Sequence, residues 1–260
     1  MKIYTYAIID SNSKISDSVV GLEGGCVYNI PYRDMGIVVS SYSEQIQDIT
    51  QEHILKHEKV VEKLMESFTV LPVRFLTLFK KEEDVLLMMQ EYYSDFRENL
   101  DKLHNKIEFG VRVIWAGETI RNRIIDAYKR DNANIAIADS SPAKNFVKEK
   151  FEKYKIDKEF TEEAEKCIAL IDDFFSRFAA EKKLEKLKSD NLLLSASYLV
   201  EKERQTDFKE AFERTRSTPG DLKFLLSGPW PPYNFIVLSK NADIFNRKPV
   251  NQDLAEENTI

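Results

Sequence analysis

His53 and His57 are the pair of residues whose type and spacing could hold a metal ion. On a helix, a separation of four residues puts both imidazoles on one face, as in many zinc sites. The segment is His-Ile-Leu-Lys-His-Glu, so no glutamate stands between the two histidines to act as a general base. His57 also falls on an apolar stripe. This favours a partly buried, hydrogen-bonded histidine over a metal ligand.

Other patterns of catalytic residues are weak in this sequence. Gly21, Gly24 and Gly25 are followed by no Lys-Ser/Thr pair, so they do not form a phosphate-binding loop. There is no Gly-x-Ser-x-Gly elbow. Cys26 and Cys167 lie far apart without a CxxC spacing, which favours two free thiols in a reducing compartment. We therefore expect no catalytic residues, no metal and no cofactor, although residues scattered along a chain can still meet in a fold.

The composition predicts a globular protein of two domains. The 260 residues are near the size at which one hydrophobic core gives way to two, and 43% of them are hydrophobic. A net charge of -6 disfavours a general nucleic-acid binder, because phosphate neutralisation needs a basic face. No apolar run approaches the roughly 18 residues of a bilayer span, and no signal peptide is evident. We expect a cytosolic protein that binds neither nucleic acid nor membrane.

The first part of the chain alternates between strand and helix patterns. Apolar residues at three- and four-residue spacing predict a helix over 48–68, capped by Asp48 or Thr50. A single further helix is predicted over 82–104. Stretches rich in β-branched and aromatic residues predict strands at 2–9, at 25–30, at 36–41 and after Pro72. These elements predict an α+β domain over residues 1–104.

The second part predicts another mixed domain, over residues 105–238. The predicted strands are 106–115, 192–200, 222–226 and 235–238, and helices are predicted at 118–129 and 204–215. The highly charged stretch 141–188 predicts a helical hairpin with a break near 155–157. An alternative for this stretch is a coiled-coil arm presented to a partner. Residues 239–260 are polar and without period, as in a C-terminal tail.

The segment Ser-Gly-Pro-Trp-Pro-Pro-Tyr-Asn-Phe at 227–235 is the most unusual in the chain. Its closely spaced prolines fix φ and remove backbone donors, so the segment must be irregular or polyproline-like. Trp230 and Tyr233 add large surfaces with polar ends. A rigid corner with the aromatic rings folded onto the core is one interpretation. The other is a preorganised docking surface, since rigid aromatic side chains lose little entropy on binding.

This segment resembles the T-G-P-W-P-P-Y-S-F motif near the end of the GvpF/GvpL gas vesicle proteins. Two further stretches are similar to that family in order and spacing: Leu71–Phe75, Leu-Pro-Val-Arg-Phe, and Ala196–Val200, Ala-Ser-Tyr-Leu-Val. The resemblance therefore covers nearly the whole chain. One departure is Leu76, where the family usually has glycine. Close approach of the backbone at that turn would then be lost, which puts a binding role for the turn in doubt.

The resemblance implies an α+β N-terminal domain and a C-terminal domain of modified ferredoxin-like form with long, partly coiled-coil-like helices. It also implies a minor, non-catalytic component of gas vesicles that binds the small shell protein GvpA and other accessory proteins during nucleation and assembly. Such a protein would be located at the gas vesicle, on the gas-facing side of the shell. The candidate partner-binding residues in the matching stretches are Arg74, Phe75, Trp230 and Tyr233.

Two alternatives stay open from the residues themselves. One is a cytosolic enzyme with dispersed site residues and a metal at His53 and His57. The other is a nucleic-acid binder that uses a ferredoxin-like sheet, which the acidic balance disfavours.

Overall fold

The computed structural model describes residues 2–15, 19–43, 50–131, 142–217 and 221–239. These residues form two units, one within Met1–Glu108 and Pro229–Ile260 and the other within Phe109–Gly228. The division lies close to the expected boundary after residue 104. It differs from the expectation at the other end, because residues 229–238 belong to the first unit. Most of the expected tail, 240–260, lies outside the described residues.

The first unit contains an antiparallel sheet whose strands differ in length. Its strands are β1 (Lys2–Ile9), β2 (Val27–Tyr32), β3 (Met35–Tyr42), β4 (Val70–Pro72) and β5 (Leu78–Phe79). They are ordered β2-β3-β1-β4, with β5 also paired to β1. Pro31 lies within β2, which is tolerated because β2 ends the order and needs no donor on its outer side. The chain reverses only at Arg33, whose φ is 55°.

Three helices accompany this sheet: α1 (Gln51–Met65), α2 (Glu82–Glu91) and α3 (Tyr93–Leu103). The apolar stripe predicted for α1 is confirmed, since His57, Val61 and Leu64 are buried. Thr50 is the N-cap, while Asp48 lies outside the described residues. The single helix predicted over 82–104 is wrong. Tyr92, at φ -106° and ψ 14°, leaves the helical region and separates α2 from α3.

The second unit is built on four strands: β6 (Lys106–Ile114), β7 (Ala179–Lys186), β8 (Leu192–Glu201) and β9 (Lys223–Trp230). Its helices are α4 (Gly117–Asp131), α5 (Pro142–Ser176) and α6 (Gln205–Arg216). The order β7-β8-β6-β9, with helices between β6 and β7 and between β8 and β9, is the ferredoxin-like arrangement with an added helix. This confirms the predicted α+β class and the modified ferredoxin-like form.

The predicted helical hairpin over 141–188 is wrong in two respects. Helix α5 runs through 155–157 without a break and has 35 residues, a length of about 52 Å. After Pro142 at its first position the helix contains no glycine or proline to interrupt it, and Asp157 pairs with Arg121 of α4 at 2.6 Å. Residues 179–186 form β7 and not the return helix. As an edge strand, β7 tolerates charged side chains on its exposed positions.

Aromatic side chains fill the core of the second unit. Phe109 stacks on Phe208 with ring centres 4.9 Å apart, and Phe175 and Tyr198 each lie 5.6 Å from Phe208. All four are fully buried. They come from β6, α5, β8 and α6, so this cluster joins the helices to the sheet.

Candidate functional site

The turn that follows β4 carries two of the four candidate residues, Arg74 and Phe75. The Arg74 carbonyl accepts hydrogen bonds from the Thr77 amide at 3.2 Å and the Thr77 hydroxyl at 2.8 Å. Leu76 has φ 65°, the left-handed conformation that a type II turn needs at its third position. Glycine adopts this conformation without strain, which gives a physical reason for glycine at this position in the family. The turn is held along β1, where the Thr5 amide donates to the Thr77 carbonyl at 3.1 Å.

Phe75 packs on a buried cluster of aromatic rings beneath this turn. Its ring centre lies 5.7 Å from that of His57 and 6.3 Å from that of Tyr4. The Leu76 amide donates to the Tyr4 hydroxyl oxygen at 3.3 Å, and the Tyr4 hydroxyl lies 2.8 Å from His57 Nδ1. Because the Tyr4 oxygen accepts from the amide, its own proton is free to bond to Nδ1. His57 then carries its single proton on Nε2.

His57 is held neutral by this environment. It is fully buried, and burial lowers its pKa from 6.5 to about 4, while the backbone of Val73 opposes the shift only in part. Its Nε2 atom has no hydrogen-bond partner among the residues that the structure describes. Burial likewise raises the pKa of Tyr4. The pair is therefore an uncharged polar contact inside an apolar core.

His53, the other member of the predicted histidine pair, has a different role. Its Nδ1 accepts a hydrogen bond from the Thr50 amide at 3.2 Å and lies 3.3 Å from the Thr50 hydroxyl. It therefore closes a capping box at the start of α1. Within the described parts of the chain, no group of three or more His, Cys, Asp or Glu side chains is placed to bind a metal.

Tyr233 contacts the residue that follows His57 in the sequence. Its hydroxyl donates to both carboxylate oxygens of Glu58, at 3.2 and 3.4 Å. Burial raises the pKa of Glu58 to about 7, the Tyr233 hydrogen bond opposes this, and the charge of Glu62 adds to it. Burial and the Glu58 carboxylate raise the pKa of Tyr233 well above 10. A half-buried carboxylate thus titrates near neutral pH at the point where the proline-rich segment meets α1.

The residues after Tyr233 are also fixed by side chains of the first unit. The Asn234 amide donates to Glu108 Oε2 at 2.9 Å, and the Asn234 side-chain amide donates to Oε1 of the same carboxylate. Phe235 is fully buried, and its carbonyl accepts from Lys102 Nζ at 3.2 Å. The strand predicted over 235–238 is wrong. The segment forms a short 3-10 turn at Tyr233–Phe235, in which the Phe235 amide donates to the Pro232 carbonyl at 3.1 Å, and several of its other backbone groups bond to side chains.

Helix α3 holds the end of this segment. Asn99, only 3% exposed, donates to the Val237 carbonyl at 2.6 Å and accepts from the Val237 amide at 2.8 Å. Asp95 Oδ2 accepts from the Ser239 amide at 2.8 Å and from the Ser239 hydroxyl at 2.7 Å. Residues 233–239, which we call the docked segment, therefore behave as part of the first unit.

The four candidate residues thus differ in surroundings. Phe75 and Tyr233 are tied to Tyr4, His57 and Glu58 by ring packing and a hydrogen bond. Arg74 lies in the turn and Trp230 ends β9, and both are half-buried.

Sequence reasoning missed the polar residues that hold the docked segment: Glu58, Asp95, Asn99, Lys102 and Glu108. A usable signal existed for Asn99. It lies on the same apolar face as Phe96 and Leu103, where a buried amide must find a partner.

The helices give no indication of a membrane span. Among the described residues, none of the helices combines the length and the apolar character needed to cross a bilayer.

Comparison with known proteins supports the resemblance noted in the sequence. The chain is 26% identical to gas vesicle protein F of Haloferax mediterranei, over 93% of this chain and 96% of that protein. It is 24% identical to gas vesicle protein F2 of Halobacterium salinarum, over 93% and 94% of the two chains.

Two solved structures have a similar fold. The crystal structure of GvpF from an Anabaena species has a TM-score of 0.78 and 21% identity, over 92% of this chain and 99% of that one. GvpF from Microcystis aeruginosa also has a TM-score of 0.78, with 20% identity, over 91% and 99% of the two chains. The family model described as gas vesicle synthesis protein GvpL/GvpF matches residues 2–237. The chain therefore belongs to the GvpL/GvpF family of gas vesicle proteins.

Proposed function

We propose that this protein is a non-catalytic accessory and minor structural component of gas vesicles that binds the shell protein GvpA and other accessory proteins during nucleation and assembly. The observation that carries the proposal is a set of large apolar side chains left exposed on a chain that is otherwise 32% charged. They include Val20, Leu55, Leu87, Phe146, Phe151, Leu170 and Phe174. Single exposed apolar side chains are common on soluble proteins, but Phe146, Val147, Phe151 and Tyr154 are neighbours on α5, and a contiguous exposed patch is typical of a surface that binds an apolar partner.

The surroundings of the candidate residues support a role without catalysis. A general base must be able to reach its substrate, and its own pKa must lie near the working pH. His57 is fully buried with its pKa lowered to about 4. Glu58 has a pKa of about 7, but both of its carboxylate oxygens are bonded to the Tyr233 hydroxyl, which limits its reach to a substrate. The two histidines also make different contacts, one in a cap and one in the core, and this disfavours a metal shared between them.

Among the four candidate partner-binding residues, we assign contact with the shell protein to Arg74 and Trp230. Phe75 and Tyr233 instead pack inside the first unit and hold the neighbouring surface residues in position. The experiment is co-expression of GvpA with an affinity-tagged chain, followed by measurement of the GvpA retained. Wild type is expected to retain it, and Arg74→Ala and Trp230→Ala are expected to retain less. Absence of GvpA from the wild-type eluate contradicts the proposal, as does a stoichiometric metal found by mass spectrometry together with an activity that depends on it.

We also propose that the protein is located at the gas vesicle, on the gas-facing side of the shell. An apolar-binding protein gains most where the shell presents apolar surface. Protease treatment of intact and of collapsed vesicles tests this location. Cleavage only after collapse is the expected result, whereas equal cleavage of both samples places the protein on the outside.

A further inference from the structure

The first half of α5 exposes a row of apolar side chains. Phe146, Val147, Phe151 and Tyr154 are 58%, 65%, 54% and 62% exposed. From Phe160 onward the same helix buries one apolar stripe, Phe160, Ala164, Ile168, Ile171 and Phe175, while Leu170 and Phe174 stay exposed. The helix is therefore packed within its unit along its second half, while its first half presents apolar side chains to solvent.

These side chains form two neighbouring ridges on one side of the helix. Phe146, Lys150 and Tyr154 follow one another at spacings of four, and Val147, Phe151 and Lys155 do the same one residue later. Lys150 Nζ lies 5.1 Å from the Phe146 ring centre, and Lys155 Nζ lies 5.5 Å from that of Phe151. We call these six residues the α5 face. Ridges at a spacing of four are the rows that interlock with the grooves of a second helix.

The α5 face is positively charged, although the protein as a whole carries -6. Residues 142–158 contain six lysines and three acidic residues. Two of those acidic residues are already paired, Glu152 with Lys148 and Asp157 with Arg121. In the described parts of the chain, Lys150 and Lys155 lie over aromatic rings and form no ion pair. An apolar surface bordered by unneutralised ammonium groups is complementary to an apolar stripe bordered by carboxylates.

We propose that the α5 face binds an amphipathic helix of the shell protein whose apolar stripe is flanked by aspartate or glutamate. This inference rests on the proposed function for the identity of the partner and adds the surface and the chemistry of contact. The three aromatic side chains, each more than half exposed, leave about 300 Å² of apolar surface, within the range of functional patches on soluble proteins. Lysine stems extend the apolar surface while their ammonium groups select an acidic partner.

The test is the amount of GvpA that co-purifies with affinity-tagged variants of the full chain. The first variant, Phe146→Ser/Phe151→Ser/Tyr154→Ser, removes the aromatic surface. The second, Lys150→Glu/Lys155→Glu, reverses the flanking charge. Both are expected to reduce retained GvpA about tenfold or more. The matched control, Lys166→Glu/Lys223→Glu, makes the same charge change at two exposed lysines of the second unit away from the first half of α5 and is expected to retain GvpA like wild type.

Each of the following outcomes contradicts the inference for a different reason. If wild type retains GvpA and both α5-face variants retain it equally, the inference fails and the proposed function stands. If wild type retains no GvpA, both the inference and the proposed function fail. Loss of GvpA in the control as well as in the charge variant shows that net charge, and not the α5 face, is responsible. Co-sedimentation with vesicles of phosphatidylcholine and phosphatidylserine, lost in the two α5-face variants while GvpA retention is unchanged, assigns the face to an anionic lipid surface. Thermal unfolding of each variant verifies that these exposed substitutions leave the fold intact.

Discussion

The Tyr233 hydroxyl donates to both oxygens of the Glu58 carboxylate, which joins the proline-rich end of the chain to the helix that carries His57. Glu58 is half-buried and its pKa is raised to about 7. The bond therefore connects the two stretches that the sequence marked as unusual, and it makes the docked segment sensitive to the charge of one carboxylate.

Removing this donor should destabilise the protein most where Glu58 is ionised. Tyr233→Phe leaves a half-buried carboxylate without its hydrogen bond, so we expect the free energy of unfolding to fall by about 1–3 kcal/mol at about pH 8 and by less at about pH 5. Urea denaturation at both pH values measures this. Tyr28→Phe, which removes an exposed bond of 3.0 Å to Glu82, is the matched control and should change stability little. An equal loss at both pH values would contradict the role of the Glu58 charge.

Glu58 should make the protein less stable as pH rises. Its pKa is raised from 4.5 to about 7, so the folded state binds the proton more tightly than the unfolded state. The stability that this provides is full below about pH 4.5 and is lost as pH rises to about 7. Glu58→Gln removes the titration. Its stability relative to wild type should be greater at about pH 8 than at about pH 4 by on the order of 3 kcal/mol. Glu66→Gln, at an exposed position after the same helix, should leave the wild-type pH profile unchanged.

His57 should act in the opposite direction. Its pKa is lowered from 6.5 to about 4, so the unfolded state binds the proton more tightly, and stability rises with pH between these values. In wild type the Glu58 effect offsets much of this rise. In the Glu58→Gln variant, we therefore expect the free energy of unfolding to increase by about 2–3 kcal/mol from about pH 4 to pH 6.5. A flat profile of that variant over this range would show that His57 is not buried as the structure has it.

Glycine should be tolerated better at position 76 than at position 78. Leu76 has φ 65°, a conformation that costs a non-glycine residue about 1–2 kcal/mol. Leu76→Gly loses apolar contacts but relieves this strain. Leu78→Gly loses similar contacts in β5 with no strain to relieve, since both leucines pack on the same core. We expect Leu76→Gly to be less destabilising than Leu78→Gly by about 1–2 kcal/mol, as measured by thermal unfolding. Equal losses would contradict this.

Asn99 should control the opening of the docked segment. It bonds to both the amide and the carbonyl of Val237, so Asn99→Ala leaves two backbone groups without their partner. We expect hydrogen exchange at the Val237 amide to accelerate by about tenfold or more, with a loss of about 1–3 kcal/mol in stability. Asn122→Ala, an exposed substitution on α4, is the matched control. Unchanged exchange at Val237 would mean that other contacts hold the segment.

Local patterns in the sequence were sufficient to predict most elements and the fold class. The period of α1 and the alternation of β6 and β8 follow from local hydrophobic spacing, and the structure confirms them. Two of the wrong predictions also have local causes. The single helix over 82–104 is predicted because no glycine or proline marks the break at Tyr92. The return helix is predicted because a run of lysines and glutamates such as 179–186 fits an exposed edge strand as well as a helix.

The sequence by itself determined the family, through the rare proline-rich stretch, and the alternation of helices and strands. Only the tertiary structure decided what that stretch does. Its contacts join residues far apart in sequence, Tyr233 to Glu58 and Val237 to Asn99, and no local period encodes such pairs. The same holds for the two ends of α5. Phe146 and Phe160 are chemically alike, yet one is exposed and the other buried, because only the second half of the helix has a partner to pack against within the described residues.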